Sequence, residues 1–266
     1  MSGLAAANAA GNAAGGAASG EVLLRGVGIA RRWGGLVAVD GVSIELERGA
    51  VHAVIGTNGA GKSTLINMLS GELPASAGSI ALAGTDITAW PQAKRARAGI
   101  GRSYQRTTIF PEFSVFENCR LAAQARLQRP WHWWQDARRC ERTNEQARGA
   151  AERAGLGALL DLEAGALSHG GKRQLEVAMC LATGPQVLLL DEPLAGMGAE
   201  ESERMLALLG ELRAGHAILL VEHDMDAVFR SADRITVMVN GAVIASGPPA
   251  AVRANAEVQA AYLGNR

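Results

Sequence analysis

Residues 56–63 read Gly56-Thr57-Asn58-Gly59-Ala60-Gly61-Lys62-Ser63, and this glycine loop matches the pattern G-x-x-x-x-G-K-[ST] at every fixed position. A compact apolar run at residues 51–55 precedes it, and the residues from Lys62 onward have helical apolar spacing. Glycines let the backbone curl so that successive N–H groups point inward, and the helix N-terminus adds its positive dipole end. The order strand, glycine loop, helix therefore predicts a site for a nucleoside triphosphate.

The pattern also assigns roles to individual side chains of the loop. Lys62 is expected to bridge the β- and γ-phosphates, and the Ser63 hydroxyl is expected to bind a Mg²⁺ ion together with phosphate oxygens and water. Since the chain has only three lysines, composition alone would rarely produce this pattern. The predicted nucleotide-binding residues of this stretch are Gly56, Thr57, Asn58, Gly59, Ala60, Gly61, Lys62, Ser63 and Thr64.

Two carboxylates, Asp191 and Glu192, directly follow the apolar run at residues 187–190. In an open α/β sheet, ligands bind at the carboxyl ends of such buried strands. Asp191 is expected to orient the hydrated Mg²⁺, and Glu192 to polarise the attacking water as a general base. The alternative is a solvated pair of loop carboxylates.

The rest of the chain alternates strand and helix patterns. Apolar runs at residues 187–190 and 217–221, separated by a helical pattern, are typical of parallel pairing in an α/β core. Short β segments at residues 22–24 and 42–46 suit antiparallel strands. Asn240-Gly241, between two apolar runs, predicts a β-hairpin because a type I′ turn needs two residues at positive φ.

The predicted organisation is one domain with an unstructured start. Ala and Gly supply 14 of the first 20 residues, so residues 1–20 are expected to form a flexible low-complexity tail, and no secretory signal pattern is present there. Residues 21–266 are expected to form a single domain. Within it, residues of roughly 93–175 differ in texture and predict a mostly helical insert.

Composition favours some classes of function over others. The 26 basic and 26 acidic residues cancel, so no global field attracts nucleic acid. The three cysteines form no C-x-x-C pair, which favours reduced thiols over a redox or metal role. The sequence contains no run of 18 or more apolar residues, so no membrane-spanning helix is predicted.

Four motifs together resemble the nucleotide-binding subunit of an ABC transporter, over residues 21 to about 264. They are the glycine loop, Leu167-Ser168-His169-Gly170-Gly171, Leu190-Asp191-Glu192-Pro193 and His223. The resemblance implies an α/β fold: a P-loop NTPase core of the ABC type with a parallel sheet, an antiparallel β subdomain and a helical subdomain. It also implies that ATP and Mg²⁺ bind, and that ATP is hydrolysed.

In this family the signature loop, here Ser168, His169, Gly170 and Gly171, faces the triphosphate held by a partner subunit. The resemblance therefore implies a second ATPase subunit, identical or paralogous, and transmembrane permease subunits. It further implies an indirect link to an extracytoplasmic substrate-binding protein, no nucleic-acid partner, and a peripheral position on the cytoplasmic face of the cell's inner membrane.

Three more residues correspond to the family's functional positions. Trp33 matches the aromatic that stacks on adenine, Gln105 the glutamine that reaches Mg²⁺ and the water, and His223 the histidine that contacts the γ-phosphate and orders Glu192. Ordinary packing is the alternative for Trp33, and a structural loop or core role is the alternative for Gln105 and His223. The implied catalytic residues are Glu192, His223 and Gln105, and the implied Mg²⁺ residues are Ser63, Gln105 and Asp191.

The chain departs from the family pattern in the glycine loop, where Thr57 replaces a frequent proline, and at two further motifs. The common Leu-Ser-Gly-Gly-Gln is here Leu-Ser-His-Gly-Gly, which retains Ser168 and Gly170 but changes the third and fifth positions. Gly198 stands where the family often has the aspartate that couples the two sites, so looser coupling is expected.

Finer elements resemble the branched-chain amino acid importers, among them residues 33–36, 99–105, 222–225 and the ending 261–264. Urea importers are close relatives of these, so the cargo stays open between the two. An exporter subunit and a soluble ABC-type ATPase that remodels nucleic acid or ribosomes are the rival hypotheses. The cluster Trp131, His132, Trp133 and Trp134 is read either as a permease-docking patch or as an insert that packs its own rings.

Overall fold

Two sheets and nine α-helices make up the computed structural model, which describes residues 20–105, 108–127 and 136–263. The strands are β1 (Val22–Trp33), β2 (Leu36–Glu47), β3 (Val51–Gly56), β4 (Ala77–Leu82), β5 (Thr85–Asp86), β6 (Ile100–Arg102), β7 (Val187–Asp191), β8 (Ala217–Val221), β9 (Arg234–Val239) and β10 (Ala242–Gly247). The α-helices are α1 (Lys62–Ser70), α2 (Gln92–Ala98), α3 (Val115–Leu127), α4 (Glu141–Arg153), α5 (His169–Ala182), α6 (Ala199–Leu212), α7 (Met225–Ser231), α8 (Pro249–Ala254) and α9 (Ala256–Leu263).

The larger sheet has the strand order β10-β9-β3-β8-β7-β6. Its strands pair in parallel, except that β10 runs antiparallel to β9. Every residue of β3, β7 and β8 is buried, which explains why these strands are continuous apolar runs. The predicted parallel α/β core is confirmed, and β3 and β7 end at the glycine loop and the carboxylate pair.

The smaller sheet is antiparallel, with the order β2-β1-β4-β5. Its inward residues, such as Leu24 and Ile44, share a buried cluster with Leu65 and Leu69 of α1. The antiparallel β subdomain is therefore present as expected, and it packs against the helix that follows the glycine loop.

The helical region consists of α3, α4 and α5, which pack on one another. Buried alanines at the contacts, including Ala123, Ala147 and Ala178, allow a close approach of the helices.

The expected boundaries of the helical insert, roughly 93–175, differ from the structure at both ends. Strand β6 lies inside that range but pairs with β7 in the core sheet, and α5 continues to Ala182. Strand β6 was not predicted from the sequence, because a strand of three residues is too short to show an alternation of apolar and polar residues.

The hairpin of β9 and β10 turns at Asn240 and Gly241, whose φ angles are 48° and 83°. The predicted type of turn is thus confirmed at both central residues. The turn also contacts distant parts of the chain, since the Gly241 N–H donates to the Ala60 carbonyl at 3.1 Å and the Asp40 N–H donates to the Gly241 carbonyl at 2.9 Å. The turn of the hairpin is therefore hydrogen-bonded to the glycine loop through Ala60. No helix in the described ranges is both long and apolar enough to traverse a bilayer.

His52 joins the two sheets from a buried position in β3. One ring nitrogen lies 2.9 Å from the Glu45 carbonyl of β2, and the other lies 2.8 Å from the Thr236 hydroxyl of β9. Burial lowers the pKa of His52 from 6.5 to about 4; the hydrogen bond to Glu45 raises it and the positive charge of Arg234 lowers it further. The folded state therefore holds the neutral ring.

Acid is expected to weaken the fold through His52. The pKa of His52 is lower in the folded state than in the unfolded state. The contribution of the neutral ring to the free energy of unfolding is therefore complete above pH 6.5 and is lost as the pH falls from 6.5 towards 4. The expected loss in unfolding free energy is about 2–3 kcal/mol. Urea unfolding at pH 7 and at lower pH measures it. His52→Gln should flatten this pH dependence and the exposed-site control His223→Gln should not; equal slopes in all three proteins would contradict the assignment.

Candidate functional site

The glycine loop is held between β2 and β9 at distances that exclude side chains. A Cβ on Gly56 would lie 2.3 Å from the Met238 carbonyl oxygen, and a Cβ on Gly61 would lie 2.3 Å from the Ala38 carbonyl oxygen. Gly61 also has a φ of 94°, and it immediately precedes α1. The two fixed glycines of the pattern are therefore required by packing, and the loop presents the N-terminus of α1.

The Lys62 ammonium lies over this loop. Its Nζ donates to the carbonyl oxygens of Gly56 at 2.8 Å and of Thr57 at 3.0 Å. Burial lowers the pKa of Lys62, while the negative charges of Glu192 and Asp191 raise it. The Lys62 cation thus lies on the loop within the electrostatic influence of the two carboxylates, and the adjacent Ser63 side chain is exposed.

Asp191 ends β7 as a buried carboxylate. Its Oδ2 lies 4.0 Å from Nη2 of Arg102, and its Oδ1 has no hydrogen-bond partner in the described ranges. Burial raises the pKa of Asp191; Arg102 and Lys62 oppose this, and the charge of Glu192 adds to it. An unpartnered buried carboxylate oxygen fits a position that faces a cation or its bound water.

Arg102 braces Asp191 from the end of β6. Its guanidinium donates to the Ser70 hydroxyl at 2.7 Å, to Glu72 at 2.5 Å and to Asn67, and it stacks over the Tyr104 ring at 4.7 Å. Arg102 therefore connects the end of α1 to the carboxylate that follows the core strand. Arg102 was not predicted as a site residue, because a basic residue that ends a short strand carries no recognisable signal.

Glu192 adopts a left-handed backbone conformation, with a φ of 49°. This region is uncommon for residues other than glycine and is a source of strain. The Glu192 N–H donates to the Val221 carbonyl at 2.9 Å, which fixes the turn. Its Oε2 accepts from Nε2 of Gln105 at 3.1 Å. The structure thus brings two of the predicted catalytic residues into direct contact.

An arginine of α5 holds the backbone on both sides of Gln105. Arg173 donates to the Tyr104 carbonyl at 3.1 Å and to the Gln105 carbonyl at 2.9 Å, and it pairs with Glu176 at 2.8 Å. Glu176 in turn accepts from the Thr108 N–H at 3.0 Å. The pair of Arg173 and Glu176 was not predicted from the sequence, although opposite charges at i and i+3 in an apolar helix are a signal that could have indicated it.

The signature loop forms the N-terminus of α5. Ser168 is the N-cap, and its Oγ accepts from the Gly171 N–H at 3.0 Å. The same hydroxyl donates to Glu201 of α6 at 2.9 Å. No hydrogen bond or ion pair in the described part of the chain joins the signature loop to the glycine loop. Within one copy of the chain, the signature loop and the glycine loop are therefore not in direct polar contact.

The structure does not place His223 against Glu192. The His223 side chain is 62% exposed, and its Nδ1 lies 3.8 Å from Glu222. Glu222 is fully buried and accepts from the N–H groups of Leu194 at 2.9 Å and of His223 at 3.2 Å, and burial raises its pKa. This buried carboxylate, to which the sequence assigned no role, links the segment after β7 to the segment after β8.

Trp33 lies at the exposed end of β1. The side chain is among the exposed large apolar residues, and the Arg31 guanidinium stands 4.6 Å from the ring centroid. Trp33 is 44% exposed, so the ring is not part of the buried core. The cluster at residues 131–134 lies outside the described residues, as does the tail at residues 1–19.

Two family models match this sequence. The model of ABC transporters covers residues 39–195, and the model of branched-chain amino acid ATP-binding cassette transporters covers residues 242–266. The first match therefore includes the glycine loop, the signature loop and the carboxylate pair.

Individual proteins resemble the chain over nearly its whole length. It is 38% identical to the high-affinity branched-chain amino acid transport ATP-binding protein BraF of Pseudomonas aeruginosa, over 89% of this chain and 96% of the relative. It is 37% identical to LivG of Escherichia coli K12, a protein of the same description, over 92% and 98%. A solved ATP-binding cassette of an ABC transporter in its ADP conformation superposes with a TM-score of 0.82, at 33% identity, over 91% of this chain and 99% of that one.

Proposed function

Because the chain belongs to the ABC transporter family, whose ATP-binding members are ATPases, we propose that it is the ATP-hydrolysing subunit of an importer for branched-chain amino acids. The observation that carries this proposal is the contact between Gln105 and Glu192 at the end of β7, beside Lys62 and Asp191. The cargo is supported by the relatives BraF and LivG and by the match over residues 242–266.

The triphosphate binds to the glycine loop. Backbone N–H groups at residues 56–64 and the positive end of α1 receive the phosphates, and Lys62 exchanges its carbonyl partners for the β- and γ-phosphate oxygens. The exposed ring of Trp33 stacks on the adenine. Packing of the glycines against β2 and β9 supports this role, because it fixes the loop before the nucleotide arrives.

A Mg²⁺ ion at this site would be held by Ser63, Gln105 and Asp191, in part through water. The unpartnered Oδ1 of Asp191 fits this assignment. When bound, the ion would offset the negative charge of the phosphates.

Hydrolysis needs an in-line water next to the γ-phosphate. Glu192 accepts a proton from that water as it attacks, and the Gln105 amide holds the carboxylate oriented through its 3.1 Å hydrogen bond. His223 contacts the γ-phosphate after its exposed side chain rotates from Glu222. The bond between the β- and γ-phosphates breaks, and ADP leaves with the electron pair.

Two subunits are needed to enclose each nucleotide. The Ser168 hydroxyl and the N–H groups of the partner's signature loop complete the site, so ATP favours the closed pair over the open one. The second subunit is an identical or a paralogous chain. Gly198, in place of an aspartate, leaves the coupling between the two sites looser.

Transport requires further components. Transmembrane permease subunits bind the ATPase pair on the cytoplasmic face of the inner membrane, and an extracytoplasmic binding protein delivers the cargo. Nucleic acid is not among these partners.

The proposal is tested with the whole complex reconstituted in liposomes. ATP turnover is measured while a binding protein loaded with leucine, or one loaded with urea, is present. We expect the leucine-loaded protein to raise turnover, because cargo stimulates hydrolysis through the permease. Stimulation by the urea-loaded protein alone would assign the other cargo, and turnover that no loaded binding protein raises would contradict an importer.

A further inference from the structure

The first turn of α6 places the Glu201 carboxylate on the signature loop. Glu201 Oε1 accepts from the Ser168 hydroxyl at 2.9 Å, and Oε2 lies 3.5 Å from the Gly198 N–H. A Cβ on Gly170 would lie only 2.5 Å from the carboxyl carbon of Glu201. The carboxylate therefore lies directly over the backbone of Gly170, at the start of α5.

The donors around this carboxylate also stabilise its charge. Hydrogen bonds from Ser168, Gly198 and the Gly170 N–H lower the pKa of Glu201, with the one from Ser168 as the largest cause. Glu201 is therefore ionised at neutral pH. A full negative charge rests on the hydroxyl and the N–H group that the proposed function reserves for a phosphate.

A carboxylate and a phosphate oxygen accept from the same kinds of donor. Both cannot occupy the Ser168 hydroxyl and the Gly170 N–H at once, and two anions at this distance repel each other. Glu201 is only partly buried, so its side chain can rotate into solvent without a change in the backbone of α6. The contact is thus reversible, but it must be broken before a phosphate can bind.

We propose that Glu201 competes with the γ-phosphate of the nucleotide on the partner subunit for the donors of Ser168 and Gly170, and so sets the ATP concentration at which the two subunits close. This inference rests on the proposed function, in which closure brings those two groups together. Glu201 acts through the signature loop and takes no part in the chemistry, so its effect is on the binding of ATP by the pair and not on the hydrolytic step.

The test compares Glu201→Gln with Glu200→Gln in the purified transport complex. Glu200 is the adjacent exposed carboxylate in the same turn of α6, so the two variants make the same change in net charge. We expect Glu201→Gln to lower the KM for ATP about 3- to 10-fold with kcat little changed. We expect Glu200→Gln to leave both values as they are, and the affinity of each separate full-length chain for ATP to stay unchanged.

Glu201→Ala serves as a second variant if Glu201→Gln does not fold, and it should lower KM in the same direction. A KM that is unchanged or raised in either folded variant would overturn the inference, since it would make Glu201 a neutral or supporting neighbour of Ser168. A wild-type complex that hydrolyses no ATP would instead overturn the proposed function, so the two failures are distinguishable.

Discussion

Glu192→Gln is expected to bind ATP with the affinity of the wild type and to hydrolyse it at least about 100-fold more slowly, because a positioned general base contributes on the order of 10² or more to the rate. Glutamine is nearly isosteric with glutamate. Its carbonyl oxygen can still accept the hydrogen bond from Gln105, which is 3.1 Å long to Glu192 in the wild type. The substitution therefore removes the basic oxygen while the turn after β7 stays in place. The paired subunits should remain closed around ATP.

Single-turnover hydrolysis, together with sedimentation in the presence of ATP, measures both effects. Glu203→Gln is the matched control, since Glu203 is an exposed carboxylate that pairs with Arg230 at 2.7 Å, in α6. It should hydrolyse ATP at the wild-type rate. If Glu192→Gln also hydrolysed ATP at that rate, Glu192 would have no role as the base.

Lys62→Ala is expected to lower the affinity for Mg²⁺-ATP roughly 100-fold, because charge-assisted hydrogen bonds to two phosphate groups are lost. The fold should tolerate the change. Burial lowers the pKa of Lys62, which means that the charged form pays a desolvation cost in the folded state. Removing the ammonium group is therefore expected to leave the thermal midpoint unchanged or slightly higher.

Calorimetric titration with Mg²⁺-ATP measures the affinity, and thermal unfolding without nucleotide measures the stability. Lys94→Ala is the control, because this lysine lies on the Trp90 ring at 3.8 Å, away from the glycine loop. It should bind ATP like the wild type. Unimpaired binding by Lys62→Ala would show that the glycine loop does not hold the phosphates.

Local patterns explain why much of the site could be predicted. The glycine loop, the carboxylates after β7 and the turn at residues 240–241 each depend on neighbouring residues with strict conformational or chemical needs. The fold of the core follows similarly, since buried parallel strands require continuous apolar runs. The resemblance to a family added Gln105 and the signature loop, which no spacing rule alone would have indicated.

The residues that were missed act across long distances in the chain. Arg102 contacts the end of α1, Arg173 contacts the backbone at residues 104–105, and Glu201 contacts Ser168. Each is an ordinary charged residue in its own segment, and only the packing of separate elements brings it to the site. His223 illustrates the converse limit, because a motif indicates a residue but does not fix the rotamer of an exposed side chain.

The grip of Arg173 on the carbonyls of Tyr104 and Gln105 has a mechanical consequence. Arg173 lies in α5 and Ser168 is the N-cap of the same helix, so the two residues are expected to move together as one rigid body. A shift of Gln105 at one catalytic centre is therefore expected to move the Ser168 hydroxyl, which contacts the nucleotide of the partner subunit. Each half of the transporter would then sense the progress of the other through a single guanidinium.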